Sequence, residues 1–451
     1  MSPRIHRLAC AATLVLLSTV AAGSPLDIPN VPLGTGGGVP PNIVFVLDNS
    51  GSMDSDYMPD SANHSDFRRR SPYHNKIYFD PAQDYTPPPN AFSGRYPDSS
   101  FSKAWVNGFD TGDGTKNIAS DPDVTEDFDS SWFKTKLKFV TYLPKPNCSN
   151  YNDVSCFTRY VYDSDCSGIS SPNVCSSNPA DLVKVANWYS YYRTRILMAK
   201  SAVLRAFSNM NPDFRFGYYT INDDKGNSNP QSNIVPVSRF GDGSSGTQKA
   251  NFWSWMTKRT PNGSTPLRVA LENVGKYYKT DQPWQDDAGN KLACRQSFTI
   301  LTTDGYWNES YKGVGNADGT DGEVITSPDG KKYQYKPAPP FSDGKGKSYS
   351  NTLADVAMQY WKEDLRTDLD NKVPTTTIDP AFWQHMSTFT ISLGIDPTGL
   401  KPDGTTIDQV FKWGLYGGPA ISDFYWPQPS ANSENNIADL AHAGLNGRGG
   451  F

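Results

Sequence analysis

An acidic side chain and two hydroxyls alternate in residues 48–52, which read Asp-Asn-Ser-Gly-Ser. They follow directly on Ile43–Leu47, an apolar run typical of a strand that is buried on both faces. Asp48, Ser50 and Ser52 therefore lie where a strand is expected to end, at the sheet edge where open α/β folds bind ligands. The spacing predicts a cation site, although a plain turn would use the same residue types.

Two later loops supply donors of the same kind. Thr265 precedes a predicted helix, and Asp304 follows a predicted strand. Thr265 before Pro266 also suits a helix N-cap with proline at the first helical position, and Asp304-Gly305 also suits a turn. With the first loop they make three hydroxyls and two carboxylates, a donor set that suits Mg²⁺, Mn²⁺ or Ca²⁺. This set leaves a six-coordinate ion unsaturated, so we expect a carboxylate of a partner to complete it.

The periodicity of the remaining chain predicts an α/β fold, with a mostly parallel sheet and helices on both faces. A hairpin turn is predicted at residues 328–330, which read Pro-Asp-Gly. The predicted strands are 43–47, 214–221, 233–240, 297–303 and 387–395, with 233–240 as an antiparallel edge, and the predicted helices are 185–210, 247–259, 267–278 and 351–369.

Two long stretches without clear periodicity, at about 54–180 and 305–350, are predicted to be insertions. The first contains four cysteines in a Ser/Asn/Pro-rich stretch that we expect to be unable to build a core of its own. In an exported protein they predict one or two disulfides, whose pairing the sequence leaves open. Cys294 makes the count odd, which predicts a free thiol or a bridge to another chain. The four are Cys148, Cys156, Cys166 and Cys175.

The three loops together resemble the metal-ion-dependent adhesion site of von Willebrand factor A domains. That family has Asp-x-Ser-x-Ser after its first strand, a Thr in a later loop and an Asp after the central strand. The resemblance implies that the three hydroxyls touch the metal and that the two acids act directly or through water. It also implies the Rossmann-like fold of that family, here with unusually large loop insertions. The matching residues are Asp48, Ser50, Ser52, Thr265 and Asp304.

A second resemblance is to type IV pilus tip-associated proteins of the PilY/PilC group. Residues 74–81 and 85–88, His-Asn-Lys-Ile-Tyr-Phe-Asp-Pro and Tyr-Thr-Pro-Pro, are similar to a segment of that group. Residues 436–443 and 447–449 are similar to its junction region. Without the resemblance, the Tyr/Pro segment would be interpreted as an extended aromatic loop.

The domain organisation predicted from these patterns has four parts. Residues 1–23 have the basic start, short apolar core and small residues of a secretory signal peptide, and 24–41 form a Gly/Pro linker. The von Willebrand factor A domain spans 42–446 with its two insertions. Residues 447–451 begin a C-terminal domain that is missing, since a β-propeller follows in the resembled family. We therefore expect a fragment or a truncated product.

Composition and motifs exclude several classes of protein. A formal net charge of −5 over 451 residues gives no support for nucleic-acid binding. No segment of the mature chain is apolar enough to span a bilayer. The sequence has no GxSxG, HExxH or phosphate-binding loop, which argues against an enzyme. His64, His74, His385 and His442 are interpreted as scattered and without partners.

These observations predict an exported adhesion and pilus-assembly protein at the tip of a type IV pilus, at the cell surface, associated with the outer membrane or secreted. Its expected partners are pilus-tip or minor pilin proteins and host or surface ligands, bound through a carboxylate. Two alternatives remain open: a structural subunit whose metal only stabilises the fold, and an exported metal-dependent hydrolase.

Overall fold

The computed structural model describes residues 38–127, 137–223 and 230–451. The predicted signal peptide, 1–23, and residues 24–37 of the predicted linker lie outside the described residues. The strands of the described part are β1 (Asn42–Leu47), β2 (Ala104–Trp105), β3 (Thr115–Lys116), β4 (Thr125–Asp127), β5 (Leu137–Pro144), β6 (Phe157–Tyr162), β7 (Val174–Ser176), β8 (Arg215–Thr220), β9 (Val235–Arg239), β10 (Ser297–Thr303), β11 (Ile325–Thr326), β12 (Lys332–Tyr333) and β13 (Ser387–Ser392). The helices are α1 (Pro179–Tyr191), α2 (Arg195–Phe207), α3 (Gln248–Thr257), α4 (Leu267–Tyr278), α5 (Leu353–Lys362), α6 (Ile407–Tyr416) and α7 (Asn435–Asn446).

The central sheet has the strand order β13-β10-β1-β8-β9. The first four strands are parallel, and β9 is an antiparallel edge strand. Leu47 is in register with Thr302 on one side and Thr220 on the other, so these strands end at the same edge. The predicted mostly parallel sheet with an antiparallel edge is confirmed.

The apolar run of β1 is buried on both faces because helices cover both sides of the sheet. Val44 and Val46 pack in a cluster with residues of α4, α5 and α7. Phe45 and Leu47 point to the opposite face and pack with residues of α2 and α3. Alternate side chains of a strand point to opposite faces, which explains why a continuous apolar run was required here.

The predicted helix at 185–210 is wrong, because the chain forms two helices there. The α1 helix ends at Tyr191, and α2 begins after Thr194, whose hydroxyl accepts a hydrogen bond from the Leu197 amide. Tyr192 packs in the aromatic cluster of the first insertion, whereas Ile196 packs against the central sheet. Residues that look like one helical face therefore belong to two separate cores.

The predicted helix at 351–369 is too long, since α5 ends at Lys362. Beyond it the chain turns, and the Leu365 amide donates to the Gln384 carbonyl oxygen at 2.8 Å. The predicted turn at 328–330 is confirmed, because it joins the antiparallel strands β11 and β12.

The first insertion is more ordered than its sequence predicts. It contains a four-stranded sheet of order β4-β5-β6-β7. Disulfides join Cys148 to Cys156 and Cys166 to Cys175, and within the described residues Cys294 is a free cysteine. The cysteine stretch, which we expected to build no core of its own, contributes to a core shared with β5. Its apolar residues pack with side chains supplied by β5, and the cluster comprises Val140, Tyr142, Cys156, Phe157 and Val161.

The aromatic side chains of the Tyr/Pro segment are buried, whereas residues 82–84 between its two parts are exposed. Phe79 is fully buried, and the Tyr78 hydroxyl donates to the Val140 carbonyl oxygen at 2.8 Å. Both rings pack with Trp188 of α1. The segment therefore forms part of the aromatic core that attaches the insertion to α1.

The Phe45 ring, which makes edge contacts with Phe207 and Phe252, should be a main source of stability. We expect Phe45→Ala to lower the free energy of unfolding by about 3–5 kcal/mol, because it leaves a cavity in the central strand. Urea denaturation measures this change. Phe92→Ala is the control, since Phe92 is 65% exposed and should change stability little. Equal small effects of the two substitutions would contradict this description of the core.

Candidate functional site

Three loops meet at the carboxyl edge of the central sheet. The loop after β1 rests on the loop before α4, since the Gly51 amide donates to the Gly263 carbonyl oxygen at 3.1 Å. The loop before α4 in turn contacts the loop after β10. There the Thr265 amide donates to the Asn308 side-chain oxygen at 2.8 Å. The structure thus brings together the three loops that carry the predicted donors.

The first loop has its side-chain oxygens close together. Asp48 Oδ1 accepts a hydrogen bond from the Ser50 amide at 2.8 Å, and Asp48 Oδ2 accepts one from the Thr303 hydroxyl at 2.6 Å. The hydroxyls of Ser50 and Ser52 lie 3.0 Å apart. Thr303 was missed in the sequence because it is the last residue of β10 and was assigned only to the strand.

The hydroxyl of Thr265 is not used as a helix cap. The residue that precedes α4 is Pro266, without a side-chain capping bond, so the predicted N-cap at Thr265 is wrong. The Thr265 carbonyl oxygen instead accepts the Leu267 and Asn308 amides. Backbone bonds therefore fix the position of Thr265 at the site, while its side chain stays out of the helix cap.

Two carboxylates are buried near each other at this edge. Asp48 is fully buried and Asp304 is 1% exposed. Burial, followed by the charge of Asp304, raises the pKa of Asp48 to about 7. The site therefore concentrates negative charge away from water and requires a compensating positive charge.

Arg195, the first residue of α2, supplies one such charge. Its guanidinium is fully buried and bonds Asp304 Oδ2 at 2.7 Å, and it also contacts Asp60 and the Tyr57 carbonyl oxygen. Within the described residues, Asp304 Oδ1 is buried without a hydrogen-bond partner. Arg195 thus holds one oxygen of Asp304 and leaves the other free for a ligand.

The role of Arg195 was missed in the sequence, although one signal existed. A cation at the first position of a helix is unfavourable to the helix dipole, so Arg195 needed an acidic partner elsewhere. Its backbone amide also donates to the Ser55 carbonyl oxygen at 3.0 Å. The start of the first insertion is therefore anchored beside the site, and the exposed Gly51 and half-buried Ser52 mark the side open to solvent.

The donor set and its surroundings fit a divalent cation. The paired serine hydroxyls, the carboxylate Asp48 and the unpartnered oxygen of Asp304 are all hard oxygen donors. The residues Asp48, Ser50, Ser52, Thr265 and Asp304 lie on the three contacting loops.

A second group of metal-type side chains was missed in the sequence. Ligand atoms of Asp318, Asp343 and His442 lie within 4.8 Å of one another, and all three residues are buried. Burial, followed by the charge of Asp355, raises the pKa of Asp318 well above its usual range. Burial also raises the pKa of Asp343 to about 6 and lowers the pKa of His442 to about 3.

The interpretation of the histidines as partnerless is therefore wrong. Besides His442, His385 lies 3.0 Å from Asp379, and His74 lies 2.8 Å from the Tyr151 carbonyl oxygen. The contact of His74 joins segments that are distant in sequence, and that of His385 crosses a turn without periodicity. The spacing of residues in the sequence therefore did not predict them.

The sheet order, the helices on both faces and the three loops at the carboxyl edge define a domain with the fold of the von Willebrand factor A class. The chain is similar over 98% of its length to type IV pilus biogenesis factors PilY1 of Pseudomonas aeruginosa. It is 31% identical to that of strain PAO1 over 487 residues and 31% identical to that of strain PAK over 495 residues. These similarities support a PilY1-type type IV pilus factor.

The similarity covers only part of each relative, since the chain spans 39% of the length of those from strains PAO1 and PAK. The PilY1 of strain UCBPP-PA14 is 30% identical over 475 residues. No protein-family model matches the chain, and no solved structure matches it. Within the described residues, no helix has both the length and the apolar character needed to cross a bilayer.

Arg195→Met tests the charge balance of the site. We expect it to lower the free energy of unfolding in metal-free buffer by about 3–5 kcal/mol, because it leaves buried carboxylates without a counter-charge. Adding Asp304→Asn to this variant should restore part of the loss. Chemical denaturation measures all three proteins.

The matched control for this prediction is Arg239→Met, which breaks an exposed pair with Asp213 and should change stability little. If Arg195→Met were as mild as the control, or if Asp304→Asn added to the loss, Arg195 would not balance the charge of Asp304.

Proposed function

We propose that this chain is an exported adhesion and biogenesis component of the type IV pilus tip that binds partners through a divalent cation. The observation that carries the proposal is a buried oxygen of Asp304 that has no partner within the described residues. It lies on a loop that contacts Thr265, beside the paired hydroxyls of Ser50 and Ser52. The kinship with pilus biogenesis factors supports the pilus setting. The activity, partners and location of the whole protein are part of the proposal.

The residues of the site would share the work of holding Mg²⁺, Mn²⁺ or Ca²⁺. The hydroxyls of Ser50, Ser52 and Thr265 would contact the ion. Asp48 would supply charge, directly or through water, while the Ser50 amide and the Thr303 hydroxyl keep its carboxylate in place. The bound cation would act as a Lewis acid for an incoming oxygen ligand.

A partner would approach on the side marked by Gly51 and Ser52, because Asp48, Ser50 and Asp304 are almost completely buried. A partner carboxylate is the ligand that best completes an oxygen-lined divalent site. We infer that pilus-tip or minor pilin proteins and host or surface ligands provide it. The net charge of −5 gives no support for a nucleic-acid partner.

The last helix is placed to respond to the site. Asp304 is followed by Gly305, whose φ of +109° is a conformation that favours glycine. A Cβ at this position would lie 2.0 Å from the Ile437 side chain of α7 and would clash with it. The indole of Trp307 donates to Asp439 of α7 at 3.0 Å. A shift of the loop after Asp304 would therefore be transmitted to α7, and force or docking at α7 would act back on the site.

One observation favours a second function, that of a structural subunit. Four of the five donors are 4% exposed or less, so a cation there could stabilise the fold without any partner. A metal-dependent hydrolase has less support, because the sequence has no GxSxG or HExxH motif. The donors concerned are Asp48, Ser50, Thr265 and Asp304.

Asp48→Ala and Asp304→Ala should each weaken Mg²⁺ or Mn²⁺ binding by at least about 10–100-fold, the loss typical of even outer-sphere changes at metal sites. Isothermal titration calorimetry measures the affinity. The same substitutions in the producing bacterium should reduce piliation and surface adhesion. Asp54→Ala is the control, because Asp54 is an exposed acid two residues beyond the motif.

The outcomes separate the three functions. Absence of divalent binding by the wild-type chain would refute the metal site itself. Binding that Asp48→Ala abolishes, with normal piliation and adhesion, would establish the structural function instead. Metal-dependent turnover of ester or phosphoester substrates would establish the hydrolase.

A further inference from the structure

The second buried cluster joins the insertion at 305–350 to the last helix. Asp318 and Asp343 come from the insertion, and His442 comes from α7. His442 Nε2 lies 3.6 Å from Asp318 Oδ2. Neighbouring ligands of a tetrahedral ion with bonds of about 2.1 Å lie about 3.4 Å apart, so this separation suits one shared ion.

Hydrogen bonding sets Asp318 apart from the other buried acids around it. Both oxygens of Asp355 and both oxygens of Asp439 accept amide hydrogen bonds. Asp318 Oδ2 accepts only a 3.2 Å bond from the Asn446 side-chain amide, and Oδ1 has no partner within the described residues. The Asn446 side-chain oxygen also has no partner within the described residues. Both Asp318 and Asn446 are fully buried, so these oxygens are not solvated.

A proton would satisfy this carboxyl poorly. A proton on Asp318 Oδ1 would meet no acceptor, and the 3.6 Å from Oδ2 to His442 Nε2 is too long for a hydrogen bond. The nearby ammonium of Lys362 donates to the carbonyl oxygens of Ala317 and Thr320 and does not contact Asp318. A cation held by both oxygens of Asp318 would satisfy Oδ1 and balance the charge at the same time.

We propose that Asp318, Asp343 and His442 form a second divalent-cation site that takes a transition-metal ion of the Zn²⁺ or Mn²⁺ type. One imidazole with two carboxylates is a mixed nitrogen and oxygen set, which suits these ions better than Mg²⁺. The ring of Trp426 stacks on His442 with 4.3 Å between ring centroids and fixes its orientation. On binding, the neutral imidazole of His442 would carry its proton on Nδ1, and Nε2 would exchange its contact with the Phe341 carbonyl oxygen for the metal.

Such an ion would fasten the insertion to α7. Asn446, at the end of α7, also bonds the Ala354 carbonyl oxygen of α5 at 3.3 Å, so the cluster lies where the insertion meets these two helices. The site is independent of the proposed adhesion site, which uses other loops and only oxygen donors. Its expected effect is on the stability of the second insertion and α7.

The test uses the whole chain in a Cys294→Ser background, so that the free thiol does not bind metal. Chelator-stripped protein is dialysed against Zn²⁺ or Mn²⁺ in excess Mg²⁺, and bound metal is counted by mass spectrometry. We expect one equivalent on the wild type, and at least about 10-fold weaker binding by Asp318→Asn and by Asp343→Asn. Asp321→Asn, an exposed acid on the same insertion, is the matched control and should keep the equivalent.

Two further readouts remain decisive even where a variant does not fold. X-ray absorption of the Zn²⁺-loaded or Mn²⁺-loaded wild type should show one imidazole among oxygen ligands. In excess Mg²⁺, which occupies the oxygen-lined first site, Zn²⁺ should also raise the Tm of the wild type but not that of folded Asp318→Asn. No bound equivalent on the wild type, binding unchanged by both substitutions, or a ligand sphere without imidazole would overturn the proposal.

Discussion

The burial of two carboxylates at one edge of the sheet is the constraint on which the site depends. Asp48 and Asp304 are held at the ends of neighbouring parallel strands, where both side chains are buried from bulk solvent. Arg195 compensates part of it through one oxygen of Asp304 and leaves the other oxygen unpartnered within the described residues. A buried pair of this kind is expensive to leave without a counter-charge. The same arrangement both limits the stability of the metal-free protein and provides the driving force for cation binding that we propose.

Two distant parts of the chain, the first insertion and the last helix, are attached to the site. The first insertion begins beside it, with Ser55 bonded to the Arg195 amide. The last helix touches it through Gly305, which has no room for a side chain beside Ile437. The insertion and α7 therefore both contact the loops that carry the site. In the pilus-tip setting that we propose, this arrangement would let binding and mechanical load influence each other, which extends the proposed function beyond simple adhesion.

The sequence predicted what depends on strict local pattern. The apolar run before Asp48 could only be a strand covered on both faces, and the chain order of Thr265 and Asp304 then predicted which loops would meet. It did not predict what depends on packing between distant segments. Arg195 begins a helix that the periodicity had merged with α1, because Tyr192 and Ile196 fit one helical face while packing in different cores. The cluster around Asp318 lies in a stretch without periodicity, so nothing local indicated it.

The most direct measurement of the central claim is anomalous X-ray diffraction from crystals of the chain grown with Mn²⁺. We expect an anomalous peak within bonding distance of the hydroxyls of Ser50, Ser52 and Thr265, with Arg195 still bonded to one oxygen of Asp304. A peak at Asp318 alone would support only the second site. Density that shows water or the Arg195 guanidinium at the first site, in crystals saturated with Mn²⁺, would contradict the account.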